Sequence, residues 1–121
     1  MQMIDYKGWK SIRLANRQVE LIVTRDVGPR VIRFGFIGGP NIFAELEGHI
    51  GGRGESEWMN RGGHRLWIAP EAAPWSYELD NEPYAVAEAI PNGVRTVQAP
   101  GPLTGIEKQM EITLDPERNV V

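Results

Sequence analysis

The sequence predicts an all-β fold, an antiparallel β-sandwich, from three observations. Residues 106–114 alternate, with Met110, Ile112 and Leu114 on one face and mostly polar residues on the other, which is the pattern of a strand with one buried face. The chain contains 14 glycines and 9 prolines at short intervals, as expected when turns separate short strands. No stretch long enough for a stable helix has apolar residues at the helical spacing.

Other strands follow from local composition. Residues 18–24 place Val19, Leu21 and Val23 on one face, and residues 30–37 are rich in the β-branched and aromatic residues that suit a pleated surface. Gly28 and Pro29 lie between these two segments and have the backbone preferences of a turn, so we expect the two strands to pair. Further strands are predicted at residues 9–14, 42–45, 64–68, 84–90 and 94–98.

Two connections are informative. The Asn92-Gly93 pair between the strands at 84–90 and 94–98 predicts a hairpin, because both residue types adopt left-handed conformations readily. Residues 41–47 could form either a strand or a short helix with its apolar residues facing inward, and we expect the strand.

The overall composition restricts the classes of protein. A chain of 121 residues is expected to form a single β-sandwich domain over residues 1–121. The 13 Lys and Arg against 16 Asp and Glu give a net charge of -3, which disfavours binding to nucleic acid or to an anionic membrane. Cysteine is absent, and no secretory or membrane-spanning segment is recognisable, so we expect a soluble, cytoplasmic protein.

The last residues suggest a continuation of the sheet. Residues 115–119 have the composition of a turn, and Val120 and Val121 look like the start of another strand. We therefore expect either a chain truncated at its C-terminus or a homo-oligomer in which a second chain completes the sheet edges.

The segment 58–77 contains the residues best suited to binding a sugar. It holds three of the four tryptophans together with Arg, His, Asn and Glu. Sugar ring faces stack on aromatic side chains, while polar side chains bond to the hydroxyls. Trp67 and Trp75 are therefore candidates for stacking, and Arg61 and Arg65 for hydrogen bonding.

Structural roles for these residues are also open. In a strand beginning at His64, Arg65 and Trp67 would lie on the opposite face from His64. Trp67 could belong to the core, Arg65 could pair with Glu71, and His64 could bond to a loop carbonyl. The two histidines, His49 and His64, lack the spacing of metal ligands, and we expect no metal and no cofactor.

Three segments together resemble a known family: residues 28–34, 41–43 and 61–71. Their order is similar to that in the N-terminal half of galactose mutarotase-like, or aldose 1-epimerase-like, proteins, and Gly-Gly-His-Arg-Leu-Trp is more similar to uncharacterised members of that superfamily. The resemblance implies half of a large antiparallel β-supersandwich. It also implies substrate binding by Arg61, His64, Arg65 and Trp67.

The resemblance leaves the activity open. Epimerases of this superfamily open the sugar ring with a histidine acid and a glutamate base, and the base comes from the C-terminal half. His64 and Glu71 are the only nearby candidates for such a catalytic pair. The chain is therefore expected to bind a small-molecule sugar. The alternatives are an aldose 1-epimerase acting on a hexose or hexose phosphate, completed by a C-terminal half or second subunit, and a non-catalytic assembly module.

Overall fold

The computed structural model describes residues 1–121 and contains seven β-strands in two antiparallel sheets. The prediction of an all-β, antiparallel β-sandwich is confirmed. The only helical element is a single 3-10 turn, η1, at Trp75–Tyr77. The strands are β1 (Gln2–Tyr6), β2 (Trp9–Ala15), β3 (Val19–Thr24), β4 (Val31–Phe36), β5 (Val86–Ile90), β6 (Gly93–Gln98) and β7 (Lys108–Thr113).

None of the helical structure is long and apolar enough to cross a membrane.

The first sheet contains β1 to β4 in sequence order, and the second contains β5 to β7 in sequence order. Strands that follow one another therefore pair through short connections. Lys7 and Gly8 join β1 to β2 with φ angles of 51° and 94°, and such left-handed residues match the twist of two-residue hairpins. Pro91 and Asn92 join β5 to β6, with Asn92 at φ 57°, so the predicted hairpin is confirmed.

The main core lies between the two sheets. Its ten buried apolar residues come from both of them, because the alternating pattern turns one face of each sheet inward. They are Ile12, Leu14, Val19, Leu21, Val23, Val31, Val94, Met110, Ile112 and Leu114.

The opposite face of the first sheet is also covered. Residues 48–63 form a glycine-rich loop with six glycines. A second buried cluster, against which Ile50 of this loop packs, consists of Trp9, Ile22, Val27 and Ile32. The Trp9 indole N–H donates to the carbonyl of Gly52 at 2.9 Å. The centre of the first sheet is therefore covered on both faces, and the loop is fixed in place over it.

Two predicted strands are absent. Residues 42–45 and 64–68 contribute only isolated bridges, Glu45 to Gly62 and Val31 to His64. Gly62 and Gly63 have φ angles of 76° and 73°, which interrupt the extended backbone of a strand.

The segment at 41–47 is neither a strand nor a helix. The side chain of Asn41 accepts hydrogen bonds from the backbone N–H groups of Phe34 and Phe43 and donates to the carbonyl of Ile32. This amide occupies the edge of β4 where a neighbouring strand would otherwise pair, and side-chain bonds of this kind compete with regular secondary structure.

Candidate functional site

Three aromatic rings from residues 58–77, which we call the aromatic loop, lie together, and we call them the aromatic trio: Trp58, Trp67 and Tyr77. Their ring centroids lie 5.1 to 5.7 Å apart, and their planes are 73° to 86° from parallel. Such edge-to-face contacts are the favoured geometry for aromatic pairs. The side chain of Trp67 is 37% exposed, so the trio presents an aromatic surface to solvent.

Arg65 packs against this surface. Its guanidinium carbon lies 4.2 Å from the ring centroid of Trp67 and 5.0 Å from that of Trp58, within the range of cation–π attraction. Only 18% of the side chain is exposed, and its one ionic contact is a long one, 3.8 Å to Asp80. Burial lowers the pKa of Arg65, and the charge of Arg30 acts in the same direction, while Asp80 opposes them. The aromatic rings therefore hold the guanidinium in place more closely than any carboxylate does.

A buried ion pair lies behind Arg65. The guanidinium of Arg30 is fully buried and donates to Asp80 at 2.6 Å and to the carbonyl of Gly62 at 2.9 Å. Asp80 Oδ1 and Arg30 Nε are buried without a hydrogen-bond partner. Because Arg30 immediately precedes β4 and Asp80 follows the aromatic loop, this pair connects the loop to the first sheet.

Lys108 is the first residue of β7, on the second sheet. The side chain is half-buried, and its pKa is lowered by burial and by the charges of Arg65 and Arg30, while Asp80 and Glu78 raise it. Its ammonium takes part in none of the salt bridges of the structure.

Glu78 connects the aromatic loop to the loop before β7. Its carboxylate accepts hydrogen bonds from the backbone N–H groups of Leu103 and Thr104 and from the Thr104 hydroxyl. Burial alone would raise the pKa of Glu78, but these hydrogen bonds outweigh it and lower the pKa overall. Glu78 therefore stays ionised and holds the two loops together.

Arg61, predicted to contact substrate, is fully buried. Its guanidinium donates to the carbonyl of His49 at 3.0 Å and to Asn81 Oδ1 at 3.1 Å, and it forms an ion pair with Glu55. These contacts organise the glycine-rich loop from within. No part of Arg61 reaches the surface, so the structure gives it a structural role.

The structure does not bring His64 and Glu71 into contact, since no hydrogen bond or ion pair joins them. His64 borders a separate cavity of about 340 Å³ with Leu66 and residues of β7. Glu71 instead accepts a hydrogen bond from the Tyr77 hydroxyl. That bond raises the pKa of Tyr77 more than burial and the charge of Glu71 do. Glu71 therefore orients one ring of the trio.

The aromatic trio differs from the two tryptophans, Trp67 and Trp75, that the sequence predicted to stack on a sugar. Trp67 belongs to it, but Trp75 is 53% exposed on the 3-10 turn and contacts none of its rings. Trp58 and Tyr77 replace it, and both lie within the aromatic-rich segment 58–77. Asp80 and Lys108 had no signal in the sequence, because each resembles an ordinary surface charge until the loops are folded.

The described residues contain no group of three or more His, Asp or Glu side chains arranged to hold a metal ion. Neither a family model, nor a curated protein, nor a solved structure matches this chain. The resemblance to mutarotase-like proteins remains a prediction, and the functional argument depends on the geometry of the site.

Proposed function

We propose that this chain binds a carbohydrate on the aromatic trio, with Arg65 as the main hydrogen-bond donor. The observation that supports this most directly is the state of Arg65. Its guanidinium is mostly buried and fixed between two tryptophan rings, yet its nearest carboxylate is 3.8 Å away. No Arg65 nitrogen is among the fully buried polar atoms that lack a partner, so its N–H groups are accessible, and a ligand on this surface would replace water as their acceptor.

The chemistry of the surface suits a sugar. Trp67 offers an exposed apolar ring for stacking against the C–H face of a pyranose, and Arg65 offers several N–H donors in a fixed plane for adjacent hydroxyls. The Tyr77 hydroxyl is held by Glu71 at the border of the same surface. Aromatic stacking and directed donors are therefore combined at one place.

Binding without catalysis is the form of the proposal that the geometry supports. An aldose 1-epimerase needs an acid and a base on the same hemiacetal, and His64 and Glu71 have different neighbours. The mutarotase-like resemblance agrees with a sugar ligand, and any epimerisation would need a base from elsewhere.

The test is calorimetric titration of the folded chain with a panel of neutral and acidic monosaccharides, comparing Trp67→Ala with Trp75→Ala. Loss of the Trp67 ring should weaken binding about tenfold, whereas Trp75, outside the trio, provides a matched tryptophan control and should leave affinity unchanged. Arg65→Ala should weaken sugar binding more than Trp67→Ala does. Arg95→Ala, which removes an arginine from β6 on the second sheet, is the control and should leave the affinity unchanged.

The outcomes separate the candidate functions. Wild-type affinity in Trp67→Ala would contradict the proposed surface. If Trp67→Ala bound sugar like the wild type while Trp75→Ala lowered the mass of an oligomer in solution, the assembly module would be the better explanation.

A further inference from the structure

The second sheet ends in an edge strand, β7, that has no neighbouring strand on one side. The strand pairs only with β6. The edge of the first sheet at β4 is different, because the side chain of Asn41 and the backbone of His64 bond to its backbone groups. Backbone groups are therefore available along β7, whereas those along β4 are occupied.

The hydrogen-bond register identifies which groups of β7 are free. The N–H group of Leu114 donates to the carbonyl of Asn92, one step beyond the ladder of β6 and β7. Hydrogen-bonded pairs alternate along an antiparallel ladder. Every second residue of β7 therefore faces β6, while Gln109, Glu111 and Thr113 direct their N–H and C=O groups to the open edge. No backbone hydrogen bond from outside the ladder reaches these groups.

An apolar cavity borders the same edge. Residues 109–113 line a cavity of about 340 Å³ together with Val31, His64, Leu66 and Val121. The side chain of Leu66 is 41% exposed, so part of this apolar wall is in contact with water. A strand added to β7 would bond to the free backbone groups and cover the wall at the same time.

We propose that the occupant of this edge is a second copy of the chain, which pairs its own β7 antiparallel to the first about a two-fold axis. Such an interface is self-complementary, because each copy supplies the strand that the other lacks. The two three-stranded sheets would then form one continuous sheet. This proposal is independent of sugar binding, since the paired strands contain no residue of the aromatic trio.

The side chains of β7 select the register of this pairing. Edge-facing residues must lie opposite one another for their backbone groups to bond, and two registers of this kind pair five residues of each copy. One is centred on Glu111 and places this carboxylate opposite its own copy, which like-charge repulsion disfavours. The other is centred on Met110 and places Gln109 opposite Glu111 of the second copy, where the amide can donate to the carboxylate.

The Met110-centred register also suits the buried side of the sheet. Met110 and Ile112 point into the core, so the two copies of Met110 would meet beside the apolar cavity. The strand is thus complementary to its own copy on both faces, without a like-charge contact. This self-complementarity favours a second copy over a strand from another protein.

The first experiment measures the mass of the wild-type chain by light scattering over a range of concentrations. We expect a dimer that dissociates on dilution. Gln109→Glu places a second carboxylate opposite Glu111 at two symmetric points, and it should raise the dissociation constant of the dimer about tenfold. Gln2→Glu, which makes the same change at an exposed position in the edge strand β1, is the matched control and should leave the dimer unchanged.

The second experiment tests the register and uses the absence of cysteine from the chain. Gln109→Cys and Glu111→Cys are prepared separately and oxidised, each alone and as a mixture. In the proposed register the two different cysteines lie opposite each other, with Cα atoms about 5.5 Å apart and within reach of a disulfide. Identical cysteines lie on the diagonal, about 7–8 Å apart and outside that reach. We expect the mixture to form more linked dimer than either variant alone, and Lys10→Cys, exposed in β2, to form little with either.

The outcomes decide both the occupant and the register, provided that circular dichroism shows each variant to be folded. A wild-type chain that stays monomeric at every concentration would overturn the second copy as the occupant and favour a strand from another protein. A dimer that Gln2→Glu weakens as much as Gln109→Glu does would overturn the interface at β7. Linked dimer from Glu111→Cys alone in higher yield than from the mixture would overturn the Met110-centred register.

Discussion

Replacing Asp80 by asparagine removes the only carboxylate that forms an ion pair with Arg30. The guanidinium of Arg30 is fully buried, and its partner carboxylate is nearly so, with 7% of the side chain exposed. Breaking a buried ion pair by removing one partner usually costs about 3–5 kcal/mol, because the remaining charge is uncompensated. An asparagine oxygen can still accept one hydrogen bond from Arg30, so we expect the lower end, a loss of about 3 kcal/mol in the free energy of unfolding.

Urea unfolding followed by tryptophan fluorescence measures this loss, and thermal unfolding should show a midpoint lower by on the order of 10 °C. Glu88→Gln is the control, since it breaks the exposed pair with Arg95, with side chains 52% and 40% exposed. Exposed pairs contribute only about 0–1 kcal/mol. The double variant Arg30→Met with Asp80→Asn should lose less stability than the two single losses combined, because the residues interact directly. A loss below about 1 kcal/mol for Asp80→Asn would refute the assignment of this pair as the anchor of the aromatic loop.

Two further predictions concern the backbone and the tyrosines. A side chain at Gly62 would place its Cβ 2.2 Å from the carbonyl oxygen of Ala44 at a φ of 76°, so Gly62→Ala should lower the free energy of unfolding by more than about 2 kcal/mol. Gly38→Ala, at the same φ but in open space, should cost about 1 kcal/mol in the same urea assay, and equal losses would contradict the steric explanation. The pKa of Tyr6 is raised to about 12, first by burial and then by its hydrogen bond to Glu45, and burial also raises the pKa of Tyr84. Because the folded state favours the protonated phenol, this stabilisation is complete below the ordinary pKa of 10.0 and is lost as the pH rises through about 12. Near-ultraviolet titration of phenolate absorbance should therefore lag behind that of the urea-unfolded chain, and coincident curves would show that the tyrosines are not perturbed.

The sheets could be predicted from sequence because their signal is local. Strand β7 alternates apolar and polar side chains, β3 is rich in β-branched and other apolar residues, and the residues between elements have the backbone preferences of turns. The prediction missed β1, a short strand that contains both polar and apolar residues and is mostly exposed. It also assigned strands at 42–45 and 64–68, where apolar content suggested pairing that Asn41 and the left-handed glycines prevent.

The sequence by itself determined that this chain forms antiparallel β-structure and that its tryptophans concentrate in the segment 58–77, since both are properties of neighbouring residues. Only the tertiary structure decided the different positions of Arg61 and Arg65. Glu55 and Asn81 enclose Arg61 in the scaffold, whereas Arg65 lies against the rings of Trp58 and Trp67 in the aromatic trio. Burial and electrostatic surroundings depend on residues far apart in the chain, so two arginines in one short motif acquire different roles only when the loops have folded.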